Sequence, residues 1–225
     1  MSIGYDNLAL NIQLELDLTL EEMVGTLAYC RSKRDIVGTL HGVPVWTALA
    51  SGLPTLEFDL ANPDWVDVPA AATGLNFTAG DFSLAVWAHI DALATSTLMC
   101  RGVANTDGWL LQVDNTGRIG VATFQAAATQ TTYSTASIAI NTWYLIGATR
   151  SGADILTYLN GNEITDAPDT HVNPLTSARE LHIGVLDDEA SSPWDGGMYR
   201  PRAWARALTA MEMLQLYRME EARFP

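Results

Sequence analysis

The chain is poor in positive charge. Of its 225 residues, 12 are Lys or Arg and 26 are Asp or Glu, which gives a formal net charge of −14. Proteins bind nucleic acid mainly through cationic side chains that contact the phosphates. The composition therefore argues against nucleic acid as a partner and favours cations or neutral ligands. With 48% hydrophobic and 17% charged residues, it also predicts a folded globular chain.

Cysteine is also scarce. Cys30 and Cys100 are the only two in the sequence, which is too few for a disulfide framework, and they lie far from any zinc-binding spacing. Their apolar neighbours suit buried free thiols, whereas a bridge between them would suit an oxidising compartment. The sequence leaves both alternatives open.

Long apolar runs are missing as well. No segment reaches the roughly 18 uncharged apolar residues that a membrane helix needs, and the first residues, MSIGYDNLALNIQ, lack the basic and apolar regions of a signal peptide. We therefore expect neither membrane insertion nor a signal peptide. A chain without a signal can still leave a cell by a route such as lysis, so the expected location is a virion surface or an extracellular surface.

Alternating apolar residues, in contrast, are abundant. Every even position from 8 to 18 is apolar, and residues 82–90 repeat the alternation, which predicts two half-buried strands. Segments 109–113 and 118–124 flank a turn at 114–117, and Asn160-Gly161 predicts a second hairpin. Further strands are expected at 55–58, 65–68, 97–101, 142–149, 179–185 and 197–205. Strands this frequent predict a sandwich or a barrel.

Two capping boxes predict helix starts. Thr19 is followed three residues later by Glu22, and Thr209 by Glu212. The second helix, about residues 209–221, would be the last element of the chain. Since neither a linker nor an internal repeat interrupts the sequence, residues 1–225 are expected to form one domain.

Several segments follow one another in a recognisable order: GTLHGVPVW (38–46), LEFDLANPDWVDVP (56–69), FTAGDFSLAVWAHI (77–90), NTWYLIGATRSG (141–152), LTYLNGNEI (156–164), ELHIGVL (180–186) and DGGMYRPRAWARALTAMEM (195–213). Together they resemble the laminin G-like, concanavalin A-like jelly-roll domain. The resemblance implies an all-β fold of two antiparallel sheets with a short C-terminal helix. It also implies function on one concave face and its rim loops, in a binding or structural module rather than an enzyme.

The order LHIGVLDDE and then DGGMYRPRAW is similar to the pentraxin branch of that superfamily. This similarity implies that Asp64, Asp187 and Asp188 hold calcium, with Asn62 as a further ligand. Carboxylate oxygens on loops suit this hard cation. The alternative is a solvated acidic loop without a metal.

Tryptophan side chains suit glycan binding because sugar C–H surfaces pack on indole rings. Among the seven tryptophans, Trp109 and Trp194 lie beside Gly, Asp or Pro. Those neighbours are typical of turns, so we expect these two to be the ligand-binding candidates. Packing beneath a loop is the alternative for both.

Catalysis is not expected. Glu15, Asp17 and Glu21 superficially resemble the ExDxxE strand of concanavalin A-like glucanases, but the last acid comes one residue too late. Glycoside hydrolysis needs two carboxylates at a set separation across the sugar. The four histidines are scattered, and neither a nucleophile motif nor a phosphate-binding loop is present.

Two functions remain as hypotheses. The first is a non-catalytic recognition module that binds a glycan or a surface protein through rim loops, with calcium assisting. The second is a structural or decoration protein of a phage virion that contacts other virion proteins. Assembly of several copies through edge strands or the terminal helix is compatible with either hypothesis.

Overall fold

The computed structural model describes residues 8–32, 34–61, 63–126, 128–167 and 170–224. Within them the strands are β1 Leu14–Asp17, β2 Leu27–Tyr29, β3 Val37–His41, β4 Val45–Ala48, β5 Pro54–Phe58, β6 Trp65–Val68, β7 Phe82–Ala88, β8 Ser96–Arg101, β9 Asp107–Val113, β10 Arg118–Gln125, β11 Ala128–Ser137, β12 Tyr144–Ser151, β13 Asp154–Leu159, β14 Asn162–Glu163, β15 Leu181–Ile183 and β16 Gly196–Trp204. One helix, α1, spans Ala210–Glu220.

The strands form two antiparallel sheets of eight strands each. Sheet I has the order β14-β13-β12-β7-β16-β5-β4, and β1 also pairs with β16. Sheet II has the order β11-β10-β9-β8-β15-β6-β3-β2. The fold is an all-β jelly-roll sandwich, which confirms the predicted fold class.

The main core lies between the two sheets. Phe82, Leu84 and Val86 of β7 alternate inward from sheet I, and Leu111 and Val121 face them from sheet II. Each large apolar side chain buried in this way stabilises the fold by about 1.5 to 3 kcal/mol. The alternation at 82–90 therefore predicted both the strand and its inward face.

Both predicted hairpins are confirmed. β9 pairs with β10 from Val113 and Ile119 outward. In the second hairpin, Asn160 and Gly161 have φ of 51° and 75° and join β13 to β14. Two consecutive positive φ values suit an Asn-Gly turn, whose twist matches that of the strands it joins.

Two predictions near the N-terminus are wrong. The strand expected from residue 8 begins only at Leu14, because Ala9–Asn11 form a 3-10 turn and Gln13 has a positive φ of 58°. No helix follows Thr19, because Leu20 and Met23 also take positive φ. The acids of the expected capping box bind distant partners instead of the local backbone.

β2 is the outer strand of sheet II. Its Tyr29 N–H donates to Oε1 of Glu22 at 2.9 Å. Because Cys30 N–H pairs with the carbonyl of Ile36, the residue before β3, the neighbouring Tyr29 N–H faces away from β3. The Glu22 carboxylate thus accepts the hydrogen bond that a neighbouring strand would otherwise accept from Tyr29.

Helix α1 covers much of the outer face of sheet I. The Thr209 hydroxyl accepts from Glu212 N–H, and the Glu212 carboxylate accepts from Thr209 N–H, which confirms the second capping box. A second apolar cluster fills the space between helix and sheet, and it includes Leu14, Trp87, Leu145, Tyr199, Trp204, Met213 and Leu216. No helix among the described residues has the length and apolar character needed to cross a membrane.

Buried ion pairs fasten the helix to that face. The Glu220 carboxylate accepts from Arg202 at 2.9 Å, from Arg200 at 2.5 Å and from the Trp87 indole at 2.8 Å. Arg200 also donates twice to Asp17, at 2.8 and 3.0 Å. Burial alone would raise the pKa of Glu220, but the charges of Arg202 and Arg200 outweigh burial and lower it.

The connections gather at two ends of the sandwich. At one end, called here the loop end, β3 turns into β4, β5 into β6, β7 into β8 and β15 into β16. At the opposite end, called the far end, β6 runs into the turn 69–75 and β3 begins. Of the acids expected to bind calcium, Asp64 belongs to the loop end, whereas Asp187 lies against Ala104 in the connection between β8 and β9.

Candidate functional site

The two tryptophans expected to bind ligand are both in the core. Trp109 lies in β9 and Trp194 in the loop before β16, and each is 0% exposed. The indole N–H groups donate to the carbonyls of Leu75 and His89, respectively. Gly108 beside Trp109 does not form a turn, since it marks a close approach to the Arg101 carbonyl. Neither ring presents a face to solvent, which corrects the placement expected from their neighbours.

Asp64, the first expected calcium ligand, holds two loops together. It is 1% exposed, and its carboxylate accepts from Val43 N–H at 2.6 Å and from Asp59 N–H at 3.1 Å. Burial raises the pKa of Asp64, and the two backbone hydrogen bonds oppose that rise. Its neighbour Gly42 is tightly packed, because a Cβ there would lie 2.2 Å from Oδ1.

The other expected ligands that the structure describes also accept hydrogen bonds from the protein. Asp187 accepts from Ala104 N–H, and Asp188 accepts from the Ser191 backbone and hydroxyl. The Ser191 hydrogen bonds lower the pKa of Asp188. Asn62 lies outside the described residues. Among those described, no group of three or more His, Cys, Asp or Glu is arranged to hold a metal. Calcium binding stays a prediction.

The three carboxylates of the glucanase-like segment make separate ion pairs. Glu15 pairs with Arg34 and Asp17 with Arg200, while Glu21 accepts from both Arg31 and the Tyr199 hydroxyl. None of these arrangements leaves two free carboxylates facing one cleft. The two cysteines are free thiols, with Cys100 buried and Cys30 half-buried.

A more accessible group lies at the loop end, on the outer face of sheet I. We call Glu57, His89, Asp91 and Trp143 the His89 cluster. His89 Nε2 lies 3.3 Å from Oε2 of Glu57, and Nδ1 lies 3.1 Å from Oδ1 of Asp91. Trp143 meets the imidazole edge-on at 4.6 Å between ring centroids. The Asp91 side chain is 50% exposed, and Glu57 and Trp143 are partly exposed.

Register explains why these residues meet. Gly197 of β16 pairs with Glu57 of β5. The Gly197 backbone N–H donates to Nε2 of His89 at 3.1 Å. A Cβ on Gly197 would lie 2.6 Å from that nitrogen and 2.7 Å from Oε1 of Glu57. The missing side chain therefore lets histidine and glutamate approach each other over β16.

The two carboxylates set the protonation of His89. Burial alone would lower its pKa, but the hydrogen bond and charge of Glu57, together with the charge of Asp91, raise it above the ordinary 6.5. The result is a partly exposed surface with carboxylate acceptors beside an indole ring. Such a surface suits a ligand rich in hydroxyl groups.

A second group lies at the loop end on the outer face of sheet II. We call His41, Trp65, Asp67 and His182 the Asp67 cluster. His41 Nε2 lies 2.8 Å from Oδ2 of Asp67, and His182 Nε2 lies 3.2 Å from Oδ1. Trp65 stacks on His41 at 4.9 Å. Burial raises the pKa of Asp67, although the charges of His182 and His41 oppose the rise.

Sequence reasoning missed both groups. It treated the histidines as scattered, whereas the pairing of β6 with β15 places Asp67 directly opposite His182. The signal available was modest: Trp65 begins the predicted strand 65–68, and His89 lies next to the end of the predicted strand 82–90.

The comparison with protein families gives one match. The model described as the concanavalin A-like lectin/glucanases superfamily, of laminin G type, matches residues 61–213. No curated protein matches the chain by sequence.

Solved structures share the fold at low sequence identity. The binding domain of Paraclostridial Mosquitocidal Protein 1 superposes with a TM-score of 0.75 at 14% identity, over 92% of this chain and 52% of that one. The botulinum neurotoxin DC binding domain in complex with SialylT gives 0.69 at 13%, over 94% and 52%. Domain 4 of AbnA, a GH43 extracellular arabinanase from Geobacillus stearothermophilus in complex with arabinotriose, gives 0.67 at 15%, over 91% and 98%. The chain thus spans about half the length of the toxin binding domains and nearly all of the arabinanase domain.

Proposed function

The chain belongs to the concanavalin A-like lectin/glucanases superfamily, and on that premise we propose that it is a non-catalytic recognition module that binds a glycan through the His89 cluster. The observation that carries the proposal is the placement of Trp143 at the loop end, beside the partly exposed carboxylates of Glu57 and Asp91.

This chemistry fits a sugar. A pyranose or furanose ring packs its C–H surface on an indole, and its hydroxyls donate to carboxylates at the rim. The Thr47 hydroxyl, which donates to Oε1 of Glu57 at 3.2 Å, is partly exposed on the same face and adds a further partner. A surface with so many acceptors favours neutral polyhydroxylated ligands over anionic ones.

The comparisons support a glycan as the ligand. Two of the similar structures, the botulinum neurotoxin DC binding domain and the arabinanase domain, were solved in complex with SialylT and arabinotriose, respectively. The arabinanase domain has nearly the length of this chain. At 13 and 15% identity the likeness extends to the fold, so the site and the ligand are proposed on the residues of this chain.

The geometry also favours binding over hydrolysis. A glycosidase places its two carboxylates on either side of the scissile bond. Glu57 and Asp91 instead approach opposite nitrogens of His89, so an imidazole fills the space where that bond would lie.

A glycan array that includes sialylated and arabinan oligosaccharides tests the proposal, followed by calorimetry on the best ligand. We expect Trp143→Ala to weaken binding by about tenfold, which corresponds to the loss of an aromatic contact worth about 1.4 kcal/mol. Trp65→Ala, which alters a partly exposed tryptophan on the other outer face, is the matched control and should bind as the unmodified chain does. Absence of any glycan ligand, or equal loss in both variants, would overturn the proposal.

A further inference from the structure

A cavity of about 420 Å³ opens at the far end of the sandwich. It lies between β1, the residues that lead into β3 and the turn after β6, and its lining includes Glu15, Arg34, Asp35, Pro69 and Gly74. Neither the His89 cluster nor the Asp67 cluster contributes to it. A ligand here would therefore bind independently of the glycan proposed for the loop end.

The Glu15 carboxylate is the central polar group of this cavity. Its side chain is 6% exposed, and Oε1 accepts from Nη2 of Arg34 at 2.5 Å. Oε2 is buried and has no hydrogen-bond partner among the described residues. A buried acceptor that lacks a partner is destabilising, and more so when it is charged. The fold thus keeps one carboxylate oxygen ready to accept from a donor.

Gly74 makes room for this oxygen. A Cβ at position 74 would lie 2.0 Å from Oε2 of Glu15. The backbone of Gly74 is outside the left-handed region, so its conformation alone would tolerate a side chain. The close approach to the carboxylate, and not the turn, is what requires glycine here.

The charges and the apolar lining define the class of ligand. Asp35 adds a second carboxylate, which forms no ion pair with any other described residue, while the Arg34 side chain is 54% exposed and therefore well hydrated. Pro69, Ala71 and Ala72 add a patch of small apolar side chains to the wall. A cationic donor on an aliphatic stem matches both parts of this lining.

We propose that this cavity binds a primary alkylammonium group, such as the lysine side chain of a partner polypeptide. The ammonium donates to Oε2 of Glu15, and its methylene stem packs against Pro69, Ala71 and Ala72. A charge-assisted hydrogen bond from an ammonium is about twice as strong as one from a neutral hydroxyl. The net charge of −14 adds a general attraction for cations.

Two matched probes test the ligand class by NMR titration of the full chain. One is Nα-acetyl-L-lysine N-methylamide, and the other is its norleucine analogue, which keeps the stem but lacks the ammonium. We expect the lysine probe to shift the backbone amides of Thr73, Gly74 and Leu75, and the norleucine probe to bind at least about tenfold more weakly. Equal binding of the two probes, no shift at these amides, or tighter binding of methyl β-D-galactopyranoside in this cavity would overturn the proposal.

Two variants test the residues. Glu15→Gln should weaken binding of the lysine probe by at least about tenfold. Asp154→Asn makes the same change of charge at an exposed position outside the cavity and should leave binding unchanged. If Glu15→Gln fails to fold, Gly74→Ala provides the second test, because its methyl group displaces the Glu15 carboxylate and should weaken binding of the lysine probe. Gly80→Ala is the control, because nothing lies within 4 Å of its added carbon. Unchanged binding in Gly74→Ala would overturn the proposal, whereas glycan binding at the loop end should survive that change.

Discussion

The two clusters at the loop end combine the same residue types in opposite order. In the His89 cluster one imidazole lies between the carboxylates of Glu57 and Asp91. In the Asp67 cluster one carboxylate lies between the imidazoles of His41 and His182. The first arrangement leaves carboxylate oxygens free to accept from a ligand, whereas the second uses its carboxylate internally.

Burial sharpens the difference. His182 is 5% exposed, and its two nitrogens face two acceptors, Asp67 and the Leu186 carbonyl, each 3.2 Å away. Asp91, in contrast, is half exposed. The Asp67 cluster is thus a structural unit of sheet II, while the His89 cluster keeps groups available for binding.

The largest expected effect follows from removing one carboxylate from each cluster. Asp67→Ala leaves the buried His182 without its partner and should lower the free energy of unfolding by about 2 to 3 kcal/mol. Asp91→Ala removes an exposed partner and should cost below about 1 kcal/mol. Urea unfolding of both variants measures the difference. Equal losses would show that the two clusters do not differ in this way.

A methyl group on Gly197 should damage the His89 cluster alone. Gly197→Ala forces His89 away from Glu57, so we expect a loss of about 1 to 3 kcal/mol together with loss of glycan binding. Gly80→Ala serves as the control, because nothing lies within 4 Å of its added carbon. Calorimetric binding and thermal unfolding report the two effects. Retained glycan affinity in Gly197→Ala would contradict the role given to this cluster.

A smaller effect should appear in the pH dependence of stability. A group whose pKa is raised by folding stabilises most below its ordinary pKa and loses that contribution as pH rises through the raised value. For His89 the loss begins above 6.5, and for Asp67 it begins above 3.8. Melting temperatures from pH 3 to 9 should show both windows. His89→Gln should remove only the loss of stability above pH 6.5, and Asp67→Asn only the loss above pH 3.8. A loss above pH 6.5 that persists in His89→Gln would contradict the assignment.

Calcium should give the smallest effect. If the sequence prediction holds, saturating calcium raises the melting temperature slightly, because ligation must replace hydrogen bonds that Asp187 and Asp188 already accept. The double change Asp187→Asn with Asp188→Asn should abolish the rise, and magnesium serves as the control ion. A melting temperature that saturating calcium leaves unchanged would end the metal hypothesis.

The sequence predicted those parts of the fold in which local pattern and tertiary environment agree. Alternation found β7, and turn residues found the hairpins. It missed β11, because Thr, Ala and Ser on both of its faces give no apolar contrast. The helix expected after Thr19 failed because Glu21 and Glu22 found tertiary partners in Tyr199 and Tyr29.

The candidate site was less predictable, because register is not visible in local sequence. Asp67 and His182 become neighbours only through the pairing of β6 with β15. Trp109 illustrates the opposite error. Its glycine neighbour indicated a turn, but that glycine is needed for a close backbone approach inside a central strand.

The Glu22 side chain on β2 has a consequence for how copies of this chain can meet. The outward Tyr29 N–H, which a strand from another molecule would need, is already satisfied by Oε1 of Glu22. A newcomer would have to displace a carboxylate and would gain no hydrogen bond at that position. Next to it, Leu18 already pairs with Cys30. The Glu22 side chain therefore extends this protection by one residue and opposes fibril-like growth from the border of sheet II.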